Sequence, residues 1–484
     1  MRIHRHGWRP AAGIAAAVVT GALGLALLPG TAVAARMATP GDFNGDGYRD
    51  LVLSAPWTTV SGHRGAGAVV VLYGSASGVS PTKRVVITQN SAGVPGASEK
   101  GDGFGTSTAV ADLNLDGYAD LVVGTPREDL ASGTDVGMVS VLWGSRSGLG
   151  AGTNLNPPQS LPSGVYFGLS VAAVKGSSGA TTKVMAASWS GVAEYTGPFS
   201  RTGTVGSTYG NTASASAGAV ALGDVDRSGD ADRFIFTVRV GDTGAQVHVN
   251  SDDSMWPRPV LSQGDGVTGT VGDVNGDGYG DLVVGDPDEP GASGPEDEGA
   301  VGGRVSVWFG SATGIALDAK PQHISQDTVG VPGAGEKYDE FGATVAVADL
   351  NRDGAAEIIV GAPKETLGED GSAGNVVVIP GRKTGLLGTG AYAVNQETAS
   401  VAGGSEDEDQ FGTTVEAGDL NKDGRPELMV TGVGENNYQG AVWVLSGGAT
   451  GPTGTGSKMM LPSALGISQS DAVALGGTGE AFIG

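Results

Sequence analysis

A nine-residue acidic pattern, D-x-N-x-D-G-x-x-D/E, recurs five times along this 484-residue chain. The copies run Asp42–Asp50, Asp112–Asp120, Asp273–Asp281, Asp349–Glu357 and Asp419–Glu427. A sixth, Asp224–Asp232, has Asp226 at its third position and Ser228 at its fifth. A loop that returns this regularly marks an array of similar supersecondary units, each too small to bury a core alone. Glycine is abundant (86 residues), but it follows no Gly-X-Y period and falls between short Val/Ile/Leu runs. That distribution predicts many short strands joined by tight turns, an all-β protein.

Alternate oxygen-bearing side chains around a glycine turn suit a hard cation. Calcium takes six to eight oxygens, and loops of this kind present side chains at positions 1, 3 and 5 and a backbone carbonyl near position 7. The expected ligands are Asp42, Asn44, Asp46 and Asp50 in the first copy, and Asp112, Asn114, Asp116 and Asp120 in the second. The third offers Asp273, Asn275, Asp277 and Asp281, the fourth Asp349, Asn351, Asp353 and Glu357, and the fifth Asp419, Asn421, Asp423 and Glu427. Seventh-position carbonyls come from Tyr48, Tyr118, Tyr279, Ala355 and Arg425. Five Ca2+ sites are expected; occupancy of the sixth, with Asp224, Asp226, Ser228 and Asp232, is left open. An EF-hand is excluded, because it needs Glu at position 12 inside a helix. Here position 12 is Leu53, Val123, Val284, Val360 or Val430, inside an apolar β run. The alternative is a polar Asx turn that holds no metal.

The same grammar surrounds each loop. An apolar strand ends in Ala55-Pro56, Gly124-Thr-Pro126, Gly285-Asp-Pro287 or Gly361-Ala-Pro363. A second strand closes on aromatic-Gly-Ser at Tyr73, Trp143 and Phe309, aromatics expected in the core between units. A weaker strand and a long loop then lead to Phe104-Gly105, Phe167-Gly168, Phe341-Gly342 or Phe411-Gly412, which opens the strand into the next acidic loop. Six loops give six units of four strands. The interval after the second holds one more without an acidic loop, built on Phe167–Val171, Val184–Ala187 and Val192–Tyr195.

Phe-Gly and Gly-Ala-Pro signatures bracketing an acidic loop resemble the FG-GAP repeats of integrin α-subunit β-propellers and their secreted bacterial relatives. The resemblance implies a seven-bladed β-propeller of four-stranded antiparallel blades. The expected blades are residues 37–103, 104–163, 164–210, 211–265, 266–340, 341–410 and 411–484 of one domain, 35–484. The pattern is degraded between Gly164 and Val260, where Arg233 replaces an apolar residue after Asp232. The tail Leu465–Gly484 is read as a strap that supplies an inner strand beside Asp50–Ala55, with an eighth partial blade as the alternative. Acidic loops and the Ser-x-Ser/Thr-Gly turns share one face by strand alternation. On the other lie longer, varied loops, and the resemblance implies a partner-binding surface there. Its candidates are Trp57, His63, Arg64, Arg127, Glu128, Lys337, Tyr338, Lys364 and Glu365.

Residues 1–34 read as a secretory leader: Arg2, Arg5 and Arg9, an apolar run from Ala11 to Leu28, then Ala32-Val33-Ala34. An uncleaved anchor is the alternative. The chain has no cysteine, which removes disulfides and thiolate metal sites. Its net charge of −24 argues against nucleic acid or an anionic membrane as partner. An extracellular monomer that binds a protein or glycan is expected. After the leader the histidines are His63, His248 and His323, far apart, and no Gly-x-Ser-x-Gly or His-Glu-x-x-His motif occurs. A non-enzymatic binding protein is the reading, with a carbohydrate-active enzyme or lectin as the alternative.

Overall fold

The computed structural model describes residues 39–159, 161, 166–176, 181–212, 216–238, 245–250, 259–290, 299–384, 387–467, 473 and 475–476. All lie in one unit, Arg36–Gly484. The expected leader and much of the tail lie outside the described residues, as does part of the Pro287–Gly303 loop.

The described strands form seven antiparallel sheets, each a meander in chain order. Blade 1 is β1 (Leu51–Ala55), β2 (Ala68–Leu72) and β3 (Arg84–Ile87). Blade 2 is β4 (Ser107–Ala111), β5 (Asp120–Thr125), β6 (Met138–Leu142) and β7 (Gly152–Leu155). Blade 3 is β8 (Val171–Val174), β9 (Lys183–Ser188), β10 (Gly191–Thr196) and β11 (Ser207–Thr212), as expected for the unit without an acidic loop. Blade 4 is β12 (Ala217–Gly223), β13 (Asp232–Thr237), β14 (Gln246–Asn250) and β15 (Val260–Asp265). Blade 5 is β16 (Thr268–Gly272), β17 (Asp281–Asp286), β18 (Arg304–Trp308) and β19 (Gln322–Ile324). Blade 6 is β20 (Thr344–Ala348), β21 (Glu357–Ala362), β22 (Asn375–Ile379) and β23 (Tyr392–Val394). Blade 7 is β24 (Phe411–Gly418), β25 (Glu427–Gly432), β26 (Ala441–Gly447) and β27 (Pro452–Met460). The protein is a seven-bladed β-propeller.

The core is divided among the seams. Seven clusters of buried apolar side chains each join two successive blades, including blade 7 to blade 1. Both faces of a blade are therefore covered, which is why β2, β5 and β21 are continuous apolar runs instead of alternating ones. The Phe-Gly and Gly-x-Pro signatures are two sides of one such seam. Phe167 N–H donates to Val136 O of the preceding blade at 2.9 Å. A Cβ on Gly137 (φ +83°) would stand 2.3 Å from the Phe167 backbone, and one on Gly124 only 2.0 Å from Gly168 O. Backbone passes against backbone there, so a side chain is excluded.

Closure uses the tail. Gly476 N–H donates to Ser54 O at 2.6 Å beside β1, the side on which blade 1 has no inner strand among the described residues. Val473 and Leu475 are fully buried with Leu51, Leu53 and Ala55 of blade 1 and Val442 of blade 7.

One expected core residue differs. Trp143 is buried, but Phe309 is 41 % exposed, just past the end of β18. Trp308, one residue earlier and still in the strand, stands at the position of Leu72 and Leu142 and faces the other seam, to blade 4. Among the described residues the degraded seam between blades 3 and 4 has the smallest cluster, six buried residues. It compensates with charge: Arg233 Nη2 donates to Glu194 Oε1 at 2.8 Å, with both side chains almost wholly buried. Glu194→Ala removes a charge-assisted bond to a buried guanidinium, so it should cost about 1.5–3 kcal/mol. The double variant Glu194→Leu/Arg233→Met should recover most of it. Melting curves of the three proteins test this, and an unchanged Glu194→Ala midpoint would refute it.

Candidate metal centres

The acidic loops of blades 2, 4, 5, 6 and 7 join the inner strand of the blade to the next strand, as expected: Asp112–Asp120 leads from β4 into β5, and Asp349–Glu357 from β20 into β21. The first carboxylate winds the loop. Asp42 Oδ1 accepts Gly45 N–H (2.6 Å) and Asp46 N–H (3.1 Å), and its Oδ2 accepts Gly47 N–H (2.7 Å). Asn44 Oδ1 then accepts Asp46 N–H at 2.8 Å, and Asp46 Oδ1 accepts Tyr48 N–H at 3.0 Å. The bonds from the fifth- and sixth-position amides recur at Asp112, Asp273 and Asp349. The apolar second position, which the sequence reading passed over, is the anchor. Phe43, Leu113, Val225, Val274, Leu350 and Leu420 are all buried in a seam.

The ninth carboxylate is a staple. Asp50 Oδ2 accepts Phe43 N–H and its Oδ1 accepts Gly74 N–H, both at 2.9 Å. Asp120 does this with Leu113 and Gly144, and Asp281 with Val274 and Gly310. The loop is thus tied to the aromatic-Gly-Ser turn of its own blade, which puts both on one face. The longer Glu357 and Glu427 use the second oxygen on Asn351 Nδ2 and Asn421 Nδ2, each at 2.6 Å. Burial raises Asp50, Asp120, Asp232 and Glu357 to about 7 and Asp281 to about 6, and the neighbouring loop carboxylates add to the rise. Glu427 is raised for the same reasons.

Two observations, one in the loop of blade 7 and one in that of blade 4, fit a divalent cation. Asp419 Oδ1 is buried with no hydrogen-bond partner, an orphaned acceptor at a first position. Asp224, Asp226 and Asp232 bring carboxylate oxygens within 4.8 Å of one another, the one such acidic group among the described residues. The copy that the sequence left open is thus the one whose acids converge. On the same face a cleft of about 580 Å³ separates the loops of blades 1 and 2, lined by Asn44, Asp46, Tyr73, Tyr118 and Arg146.

The opposite face carries two further arrangements. Trp57 follows β1, Arg127 follows β5, Tyr166 precedes Phe167-Gly168, and Trp189 stands between β9 and β10. The Arg127 guanidinium lies 5.7 Å from the Trp57 ring and 5.9 Å from the Tyr166 ring, and Tyr166 meets Trp189 edge to face at 4.7 Å. This run crosses three blades, and Trp189 is 40 % exposed. Sequence reasoning named Trp57 and Arg127 but missed Tyr166 and Trp189, whose only signal was their place beside Phe-Gly and in the β9–β10 turn. His63, Arg64, Lys337 and Tyr338 are exposed, whereas Lys364 bonds Glu340 Oε1 at 2.6 Å.

Glu128 and Glu365 do not simply line the rim. Each accepts from a buried glutamine of the preceding blade, Gln89 and Gln326, as Glu435 does from Gln396 at 2.9 Å. The separation is 39 residues in all three, a periodic signal the sequence contained. A buried Asp completes each group: Asp102, Asp339 and Asp409, two residues before Phe-Gly. Burial and the facing carboxylates raise Glu128, Glu435 and Asp339 to about 7 and Asp102 to about 6.

All these carboxyls lie above their ordinary value of about 4. The folded chain therefore holds protons that the unfolded chain releases. The resulting stability is present below pH 4 and is lost as pH rises through 6 to 7. In chelator, the melting temperature should fall steadily from pH 5 to pH 8. Thermal melts across that range check it, and a flat or rising curve would contradict it.

The FG-GAP repeat profile matches residues 38–72, 104–142, 266–308, 341–379 and 411–445, in blades 1, 2, 5, 6 and 7. Phosphatidylinositol-glycan-specific phospholipase D of Bos taurus is 36 % identical over 110 residues, 23 % of this chain and 13 % of that protein. The Homo sapiens protein gives the same figures. Integrin alpha-4 of Xenopus laevis is 30 % identical over 128 residues, 26 % of this chain and 11 % of the relative. The aligned stretch is a small part of each relative. Among the described residues no helix is long and apolar enough to cross a membrane. Five FG-GAP repeat matches in phase with the blades of a seven-bladed ring support an integrin-α-like FG-GAP propeller.

Proposed function

We propose that this protein is a secreted binding scaffold of the adhesion type, with Ca2+ as a structural staple in the acidic loops and recognition on the opposite face. The observation that carries the reading is the run Trp57–Arg127–Tyr166–Trp189. It lies past the ends of β1, β5 and β9, whereas the acidic loops of blades 1 and 2 lead into the starts of β1 and β5. Aromatic and arginine side chains of this kind anchor interfaces, because they bring large area with little conformational entropy. Ion binding and recognition are then separate jobs on separate faces, and the partner is an extracellular protein or a glycan.

The second reading is a lectin or carbohydrate-active enzyme using the same loops, since an exposed indole also suits the flat face of a sugar ring. The phospholipase D named above acts on a phosphatidylinositol-glycan, but the likeness covers a small part of it. We read the present chain as non-enzymatic.

A metal count on purified protein should give five or six Ca2+ per chain. Each site saturated a hundredfold above its Kd adds about 2.7 kcal/mol, so chelation should lower the melting temperature by many degrees. Identical melts with calcium and chelator would end the structural-ion reading. Trp189→Ala combined with Trp57→Ala should weaken capture of partners at least tenfold and leave the metal count unchanged. Release of products from polysaccharides without any partner would favour the enzyme reading instead.

A further inference from the structure

Blade 3 has lysines where the other blades have acids. Lys175 follows β8 as Asp112 follows β4, and Lys183 opens β9 as Asp120 opens β5, at the same spacing. They stand at the first and ninth positions of the nonapeptide. Each reaches a different neighbour. Lys175 Nζ donates to Asp112 Oδ2 of blade 2 at 3.1 Å, and the Asp112 side chain is 2 % exposed. Lys183 Nζ, itself 2 % exposed, donates to Asp230 Oδ2 at 2.7 Å and Ala231 O at 3.3 Å in the blade 4 loop. Arg201, on the turn between β10 and β11, adds a bond from Nη2 to Asp116 Oδ2 at 2.8 Å.

Two carboxylates of the blade 2 loop, at its first and fifth positions, thus already hold a protein cation. The local geometry registers it. Gly117 N–H lies 3.3 Å from Asp112 Oδ2, the oxygen shared with Lys175. The equivalent bonds to Asp42, Asp273, Asp349 and Asp419 are 2.7, 2.8, 3.1 and 2.8 Å. Among the described residues no lysine or arginine pairs with those four carboxylates. A buried ammonium is costly unless it is paired, so Lys183 is held there by its two acceptors.

We propose that blade 3 carries a charge-reversed copy of the acidic loop, whose lysines replace a bound ion and leave the loops of blades 2 and 4 with weaker divalent-cation affinity than those of blades 1, 5, 6 and 7. This rests on the reading that the acidic loops take calcium. Displacing or living beside an ammonium about 5 Å from a doubly charged ion costs a factor of about ten or more in affinity, even at the dielectric constant of water.

Equilibrium dialysis with Ca2+ and titration with luminescent Tb3+ test it on the whole protein. Wild type should show four tight sites and a weaker class. Tyr118→Phe should remove luminescence from the weak phase, because Tyr118 is the aromatic antenna within the blade 2 loop. Lys175→Met should tighten one weak site about tenfold or more. The same variant should melt below wild type in chelator, with the gap closing at saturating calcium. Lys175 is 35 % exposed, so the substitution leaves the core intact, and Lys175→Gln serves as a second variant. Five or six sites in a single class, or constants unmoved in both variants, would overturn the proposal and leave the calcium reading standing. No bound ion in any protein would overturn the calcium reading, and this one with it.

Discussion

The ring depends on hydrogen bonds that pass from one acidic loop to the next. Asp42 O accepts Ala119 N–H of the following blade at 2.9 Å, and Phe43 O accepts Ser145 N–H at 3.0 Å. Asp273 O and Val274 O do the same for Ala356 and Arg382, and Asp224 O and Val225 O for Gly280 and Ser311. The first two carbonyls of a loop are therefore a joint to the next blade. They point the right way only if the loop is wound around its first carboxylate and clamped by its ninth. A loop of this kind serves the seam before it serves any ligand, which explains why six of the seven blades keep this element although they differ in their outer strands.

Burying the ninth carboxylate is the cost of that clamp. It satisfies two backbone amides that water no longer reaches, but desolvation pushes it towards the neutral form. A bound divalent cation favours the carboxylate and so opposes the desolvation. The opposite face meets a similar conflict with glutamine in the place of an ion: the amides of Gln89, Gln326 and Gln396 bond buried glutamates across three seams. With a net charge of −24, the chain has to neutralise carboxylates wherever blades meet.

What the sequence disclosed follows from this division. The acidic loops, Phe-Gly and Gly-x-Pro were legible because they meet the same backbone geometry in blade after blade, and geometry that repeats imposes residues that repeat. The number of blades followed from them, and the unit without acids was found through Phe167-Gly168 and its three apolar runs. The exposure of Phe309 was not legible, since it carries the same aromatic-Gly-Ser pattern as the buried Trp143. The glutamine–glutamate pairs were missed for another reason. Their partners lie on different blades, and each residue alone reads as an ordinary solvated polar side chain.

Blades 3 and 4 show what happens when the repeat is relaxed. Their signatures are degraded, the family profile passes over them, and among the described residues their shared apolar cluster is the smallest of the seven. Yet a ring has no dispensable seam, because opening one exposes two apolar faces and the edges that the tail would otherwise protect. The chain meets that demand with side chains that a strict copy would not carry: Arg233 on Glu194 within the seam, and Lys183 on Asp230 at its margin. Arg233 and Lys183 look like lapses in the sequence pattern. In the ring they are direct ionic contacts standing where neighbouring blades use apolar packing and acidic loops.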